Sequence, residues 1–278
     1  MDLGIRNKVA LVAGGSSGIG LAIATELAAE GAHVAICGRD PERLATAERT
    51  LKGAARGTVR ADRVDITDQD AARRWVDGVA ADHGGALHIL VAGGGTPPTG
   101  AASQFAPADY RAAVDLVLLP AVNLTLAALP HLTMAGWGRI LFIASETASR
   151  PVAWLALSGV TRAGLVRFAQ SLAAETGCDG ITVNVLAPSA TRTPMIERAA
   201  VRLAADGDGD VEAQLHAMGE HTALRRIARP DEIAAMAAFL VSDRASYVTG
   251  GVHLVDGGTS VTGPEARYLP RTRAGTYR

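Results

Sequence analysis

The stretch Gly14-Gly15-Ser16-Ser17-Gly18-Ile19-Gly20 is where residue types most directly imply a ligand in this 278-residue chain. It follows a short apolar run and leads straight into an Ala-rich segment of helical period. Glycines at such a junction let the backbone turn tightly and approach a pyrophosphate, whose charge is met by the free N–H groups of a helix's first turn. Gly14, Gly18 and Gly20 are the turn-formers, and Ser16, Ser17 and Ile19 complete the loop. A lone glycine-rich loop is weak evidence. Here a second strand follows and ends Cys37-Gly38-Arg39, where a ribose reader is expected. A carboxylate there would bind the ribose hydroxyls of NAD and repel a 2′-phosphate. Arg39 offers that phosphate a charge-assisted fork instead, so NADP (NADPH) is expected over NAD. The competing reading stacks Arg39 on the adenine or pairs it with Asp40 or Glu42 on a solvated face.

These residues need a scaffold to hold them. Short runs rich in Val and Ile at 8–13, 33–37, 58–64, 87–92, 139–144, 182–186 and 252–255 read as strands. Segments 18–30, 41–51, 68–82, 107–135, 159–176 and 230–240 read as helices. Their alternation predicts a parallel sheet covered on both faces. Asp40-Pro41 supplies a cap and a first-turn proline, Thr67 is the expected cap of the third helix, and Gly31 the expected C-terminal glycine of the first. Arg229-Pro230-Asp231-Glu232 opens the last helix with acidic residues that suit its dipole. Pro120 is expected to kink the fourth helix. Residues 191–226 break the alternation and lie where an open α/β sheet carries a substrate lid; a flexible insertion without function is the alternative. The domain therefore spans 1–262, and the polar, basic tail 263–278 is expected to be disordered or to wrap a neighbouring subunit.

Composition narrows the class. The length suits one large α/β domain, and a formal net charge of −1 gives no reason to expect nucleic acid or an acidic membrane as partner. Cys37 and Cys178 cannot build a disulfide framework. No signal peptide is read at the N-terminus, and no apolar run reaches about 18 residues without a charge, Gly or Pro. A cytoplasmic protein is the expectation.

The spacing of Gly14, Gly18 and Gly20 resembles the TGxxxGIG motif of the short-chain dehydrogenase/reductase family, with Ala13 in place of Thr. The resemblance runs from about Asn7 to Thr262. Asp65-Ile66 resembles the family's adenine-contacting dipeptide, and Ala187-Pro188-Ser189 its Pro-Gly turn over the nicotinamide, with Ser189 replacing Gly. Thr191 and Thr193-Pro194-Met195 follow at the family's spacing, and Arg229–Ile233 and Val255–Gly258 complete the C-terminal signature. The resemblance implies a doubly wound Rossmann fold with a seven-stranded parallel sheet. It also assigns Ala92, Gly93, Gly94, Pro188, Thr191 and Thr193 to the cofactor.

In that family a Tyr exchanges a proton with the substrate oxygen, a Lys four residues later holds the nicotinamide ribose, a Ser orients the oxygen and an Asn anchors a water relay. The serine is matched by Ser145, but thirteen residues on the tyrosine position is Ser158, the lysine position is Arg162 and the asparagine position is Val117. A serine is a far weaker acid than a phenol, and an arginine can fork onto ribose hydroxyls yet cannot shuttle a proton. Glu146, beside Ser145, is the candidate substitute acid if a partly apolar site raises its pKa; a solvated loop carboxylate is its plainer reading. Tyr110, Trp154, Tyr247, Tyr268 and Tyr277 read as packing or surface residues. His216, Glu220 and His221 are not in a zinc-protease order, and no metal is expected.

Three functions stay open at this point. One is an oxidoreductase with an atypical site. The second is a non-redox dehydratase, isomerase or cyclase, and the third a non-catalytic nucleotide binder. The expected pocket, lined by 95–104, 145–155 and the lid, includes Trp154, Met195 and Ile196 and suits an apolar small molecule. The resemblance implies a homotetramer, or a homodimer, paired through the helices 107–135 and 159–176.

Overall fold

Runs of four to eight residues, apolar except in the third and bounded by turn residues, form seven strands in the computed structural model, which describes residues 2–205 and 210–262. They are β1 Val9–Ala13, β2 His33–Gly38, β3 Val59–Arg63, β4 Ile89–Gly93, β5 Gly138–Ile143, β6 Ile181–Pro188 and the four-residue β7 Val252–Val255. The sheet order is β3-β2-β1-β4-β5-β6-β7, parallel throughout. The order reverses between β1 and β4, the place where such sheets bind ligands at their carboxyl ends.

The helices are α1 Gly18–Ala29, α2 Pro41–Ala54, α3 Gln69–Ala81, α4 Pro107–Ala113, α5 Leu119–Ala135, α6 Ala156–Thr176, α7 Pro194–Ala205, α8 Val211–Gly219 and α9 Pro230–Leu240. One face of the sheet packs Leu11, Leu90 and Phe142 against Val76 of α3, Leu124 of α5 and Leu165 of α6. The other packs Val12, Ile36 and Leu141 against Ile23 of α1, Leu44 of α2 and Ile233 of α9. The expected doubly wound fold is therefore present, with boundaries moved by one to three residues. Asp40 caps α2 by accepting from the N–H of Glu42 and Arg43, and Gly31 takes φ +91° after α1.

Three local readings need correction. Asp68, not Thr67, caps α3, accepting from Ala71 N at 3.0 Å; Thr67 turns back to donate to the Asp65 carboxylate. Helix α6 starts at Ala156, so Ser158 stands in its first turn. The segment from Pro107 to Ala135 is not one helix: Val114–Leu118 forms a π turn between α4 and α5, just before Pro120. Proline lacks the N–H that would have bonded Leu116 O four residues back. That carbonyl accepts from Gly95 N, at 3.3 Å, in the loop after β4. The same 29-residue run holds an 18-residue stretch of mean hydropathy 2.0, long and apolar enough by composition to cross a bilayer. Its Ala121, Leu124, Ala128 and Leu132 are spent on the core beneath the sheet.

Candidate active site

The carboxyl end of β1 passes into the glycine loop, and sterics explain each glycine differently. Gly14 takes φ +70°, and a Cβ built on it meets nothing within 4 Å, so open space lies over the turn. A Cβ on Gly20 would sit 2.4 Å from Gly14 O, so only glycine lets α1 close onto β1. Ser17 caps α1 without a side-chain hydrogen bond, which leaves first-turn N–H groups to face that space. Ser16 lies over the end of β2, its Oγ 2.8 Å from where a Gly38 Cβ would be, and Thr193 packs over Gly18. An open turn, a bare helix N-terminus and no crowding side chain fit a pyrophosphate.

Beside it, Arg39 is 71% exposed, with Nη1 3.9 Å from the Asp65 carboxylate. Asp65 accepts from both the N–H and the hydroxyl of Thr67, which, more than Arg39, hold its pKa below the usual carboxylate value. Ile66 packs on the core edge. Neither Asp40 nor Glu42 pairs with Arg39 among the described residues. Arg63, at the end of β3, donates from Nε to Arg39 O.

Across the switch point, β4 and β5 run in register with Ala92 opposite Phe142 and Gly93 opposite Ile143. Gly94 and Gly95 follow β4, and Ser145 stands two residues after β5. Pro188 ends β6 opposite Val255, and Thr191, buried, donates to Ser189 O. Thr191 also pairs with Ala228, so the segment carrying α7 and α8 leaves and returns at one place. Arg192 forks onto Glu212 and reaches Glu197, tying the two helices together. Residues 206–209 of this segment and the tail 263–278 lie outside the described residues.

The corner formed by the β5 end and α6 holds the substituted positions. Ser145 Oγ accepts from Thr147 N at 3.3 Å, and the Thr147 hydroxyl lies 3.1 Å from Ser158 Oγ. Glu146 points away into an ion pair, its carboxylate 2.6 and 3.1 Å from two nitrogens of Arg150. Arg162 lies one turn along α6 from Ser158 and is 8% exposed. Its Nη1 donates to Ile143 O at 2.9 Å and its Nη2 to Gly95 O at 3.2 Å, while Nε has no partner among the described residues. Burial lowers its pKa to about 10. The guanidinium thus braces the ends of β4 and β5 from below. Val117 is fully buried in the π turn, its carbonyl against Gly94. Tyr110 donates to Ala102 O and Tyr247 is fully exposed. Thr147 was not singled out from the sequence; a threonine two residues after Ser145 and eleven before Ser158 carries no spacing signal that distinguishes it.

Among known proteins, the model described as enoyl-(acyl carrier protein) reductase matches residues 13–260. A tropinone reductase homolog of Arabidopsis thaliana is 30% identical over 96% of this chain and 85% of its own length. The cis-4-hydroxycyclohexanecarboxylate dehydrogenase of Sinomonas cyclohexanicum is 33% identical over 90% of this chain and 96% of its own. L-Sorbose reductase from Gluconobacter frateurii, solved with NADPH and L-sorbose, superposes with a TM-score of 0.90 at 35% identity, covering 95% of this chain and all of that one. With the fold, the glycine loop and near-full-length matches in agreement, the chain belongs to the short-chain dehydrogenase/reductase family.

Proposed function

We propose that this protein is an NADPH-dependent oxidoreductase acting on a carbonyl or hydroxyl group of an apolar small molecule, with a serine–arginine corner in place of the tyrosine–lysine pair. The observation that carries it is the phosphate cradle: open space over Gly14, closure enforced at Gly20, and Arg39 exposed beside it. NADPH, when bound, supplies a hydride. Gly14, Ser16, Ser17, Gly18, Ile19 and Gly20 would hold its pyrophosphate, Asp65 and Ile66 its adenine, and Arg39 its 2′-phosphate. Ala92, Gly93, Gly94, Pro188, Thr191 and Thr193 would border the nicotinamide half. Ser145 and Ser158 hold the substrate oxygen by hydrogen bonds. Arg162 fixes the floor beneath them and keeps one N–H for the cofactor ribose. Glu146 stays in the proposal as the acid only if substrate separates it from Arg150. The segment 191–226 serves as a lid whose pinned ends let α7 and α8 move together. The enzyme works in the cytoplasm as a homotetramer or homodimer.

Fluorescence titration with NADPH and NADH tests the cradle. Wild type is expected to bind NADPH at micromolar concentration, and Arg39→Ala to weaken it about tenfold or more, as loss of a charge-assisted phosphate contact implies. Absence of binding to either nucleotide would sink the oxidoreductase reading. Cofactor accounting against a panel of cyclic ketones then separates redox from non-redox turnover: one NADPH consumed per product formed supports the first.

A further inference from the structure

We propose that Thr147 is a positioning residue that orients the Ser158 hydroxyl as a donor, so that Ser158 and Ser145 together form a two-donor site for a substrate oxygen carrying negative charge. The inference rests on the oxidoreductase reading for its substrate, but on this corner alone for its geometry.

The direction of each hydrogen bond follows from what is available. Ser145 Oγ accepts from Thr147 N, which leaves the Ser145 proton free. Thr147 is 4% exposed, and its hydroxyl proton has one acceptor among the described residues, Ser158 Oγ at 3.1 Å. A buried hydroxyl proton left unpaired is costly, so Thr147 donates and Ser158 accepts. The Ser158 proton is then the free end of the chain, polarised by the bond it receives. Two hydroxyls that have each already accepted thus have donors to spare. A second observation points the same way. Arg162, in the next turn of α6, is a buried cation with no carboxylate in salt-bridge range among the described residues and with Nε unpartnered. A buried positive charge without a counter-ion favours an anionic ligand atom nearby. Hydroxyl donors on Ser145 and Ser158 and an uncompensated guanidinium one turn further along α6 suit an alkoxide or enolate oxygen better than a neutral one.

4-Nitrophenol, whose phenolate absorbs apart from the neutral phenol, serves as the probe in the presence of NADP. Wild type should bind it as the phenolate. Thr147→Val, which keeps the shape and removes the hydroxyl, should bind it about tenfold more weakly and with less phenolate, the effect of losing support for a bond to a charged group. Thr147→Ser should restore both. NADPH affinity, measured on the same samples, should stay constant across all three. If Thr147→Val does not fold, Ser158→Ala must show the same loss while Thr147→Ser does not. Failure of wild type to bind phenolate, equal binding by Thr147→Val, or no rescue by Thr147→Ser overturns the proposal. Loss of NADPH binding in wild type, with the phenolate pattern intact, would instead remove the cofactor reading and leave the oxygen site standing.

Discussion

The two halves of the carboxyl edge are built from different materials. Around β1, α1 and β2 the site is backbone: open space at Gly14, contact at Gly20 and bare N–H groups after Ser17. Around β5 and α6 it is side chain: hydroxyls on Ser145, Thr147 and Ser158, and the guanidinium of Arg162 one turn along α6. A backbone site tolerates few residue types because any Cβ fills it. A side-chain site can exchange its chemistry while the fold stays, as Ser158 and Arg162 do here. The side-chain chemistry of one half can therefore change without disturbing the backbone of the other.

Two glycine variants break this comparison most sharply. Gly20→Ala puts a methyl 2.4 Å from a backbone oxygen that cannot yield without opening α1 from β1. A loss of about 1–3 kcal/mol in stability is expected, as for overpacked cores, and NADPH affinity should fall with it. Gly14→Ala meets no atom, yet must adopt φ +70°, which costs an L-residue about 1–2 kcal/mol. Calorimetry and NADPH titration on both variants check this. If Gly20→Ala binds and melts like wild type, the cradle is not the rigid element described here.

Much of this was legible from residue spacing. Strands announced themselves as short apolar runs, and glycine and proline punctuated the helices, because those signals act within a few residues. The glycine turn was legible for the same reason, with Gly14 at positive φ and Gly20 packed on Gly14 O. The π turn was not legible: Pro120 predicts a missing bond, but only the fold brings Gly95 N to the orphaned Leu116 carbonyl. Thr147 was hidden similarly, since its partner on α6 lies eleven residues away through a turn. The pairing of Glu146 with Arg150 was in reach at a spacing of four, but nothing local said the chain would turn there as a helix does.

That pairing gives the next test on the side-chain half. Glu146→Gln removes an ion pair whose Arg150 partner is about one-third exposed, so stability should change by no more than about 1 kcal/mol. With the substrate oxygen held by hydroxyls, kcat/KM for a ketone and NADPH should fall less than about threefold, within what a disturbed loop accounts for. A drop of about a hundredfold or more would make Glu146 the working acid, as general acid catalysis of that size requires.

The smallest effect should touch both halves equally, because they hang from one joint at the opposite edge of the sheet. His88, just before β4, accepts from Val9 N through Nδ1, while its own N–H donates to Val9 O and its carbonyl accepts from Arg139 N. It therefore links β1, which leads into the glycine loop, to β4 and β5, which lead to Gly95 and the hydroxyl corner. Burial first, then the charges of Lys8 and His83, lower its pKa from 6.5 to about 4; Arg139 stacks over the far side of the adjoining Trp137 ring. In the unfolded chain the imidazole takes its proton near pH 6.5, in the fold only near 4, so between those values the unfolded state binds more protons. This contribution to stability is whole above pH 6.5 and is lost as the pH falls toward 4. Protonation also removes the lone pair that Val9 N needs. His88→Gln, which cannot charge, should melt a little below wild type at pH 7.5 and lose less on going to pH 4.5. Thermal melts across that range read the difference between the two slopes. NADPH and 4-nitrophenol binding should each weaken more with acid in wild type than in His88→Gln, since the ligands' own protonation is common to both proteins; if only one of the two bindings differs between them, His88 is not the common support.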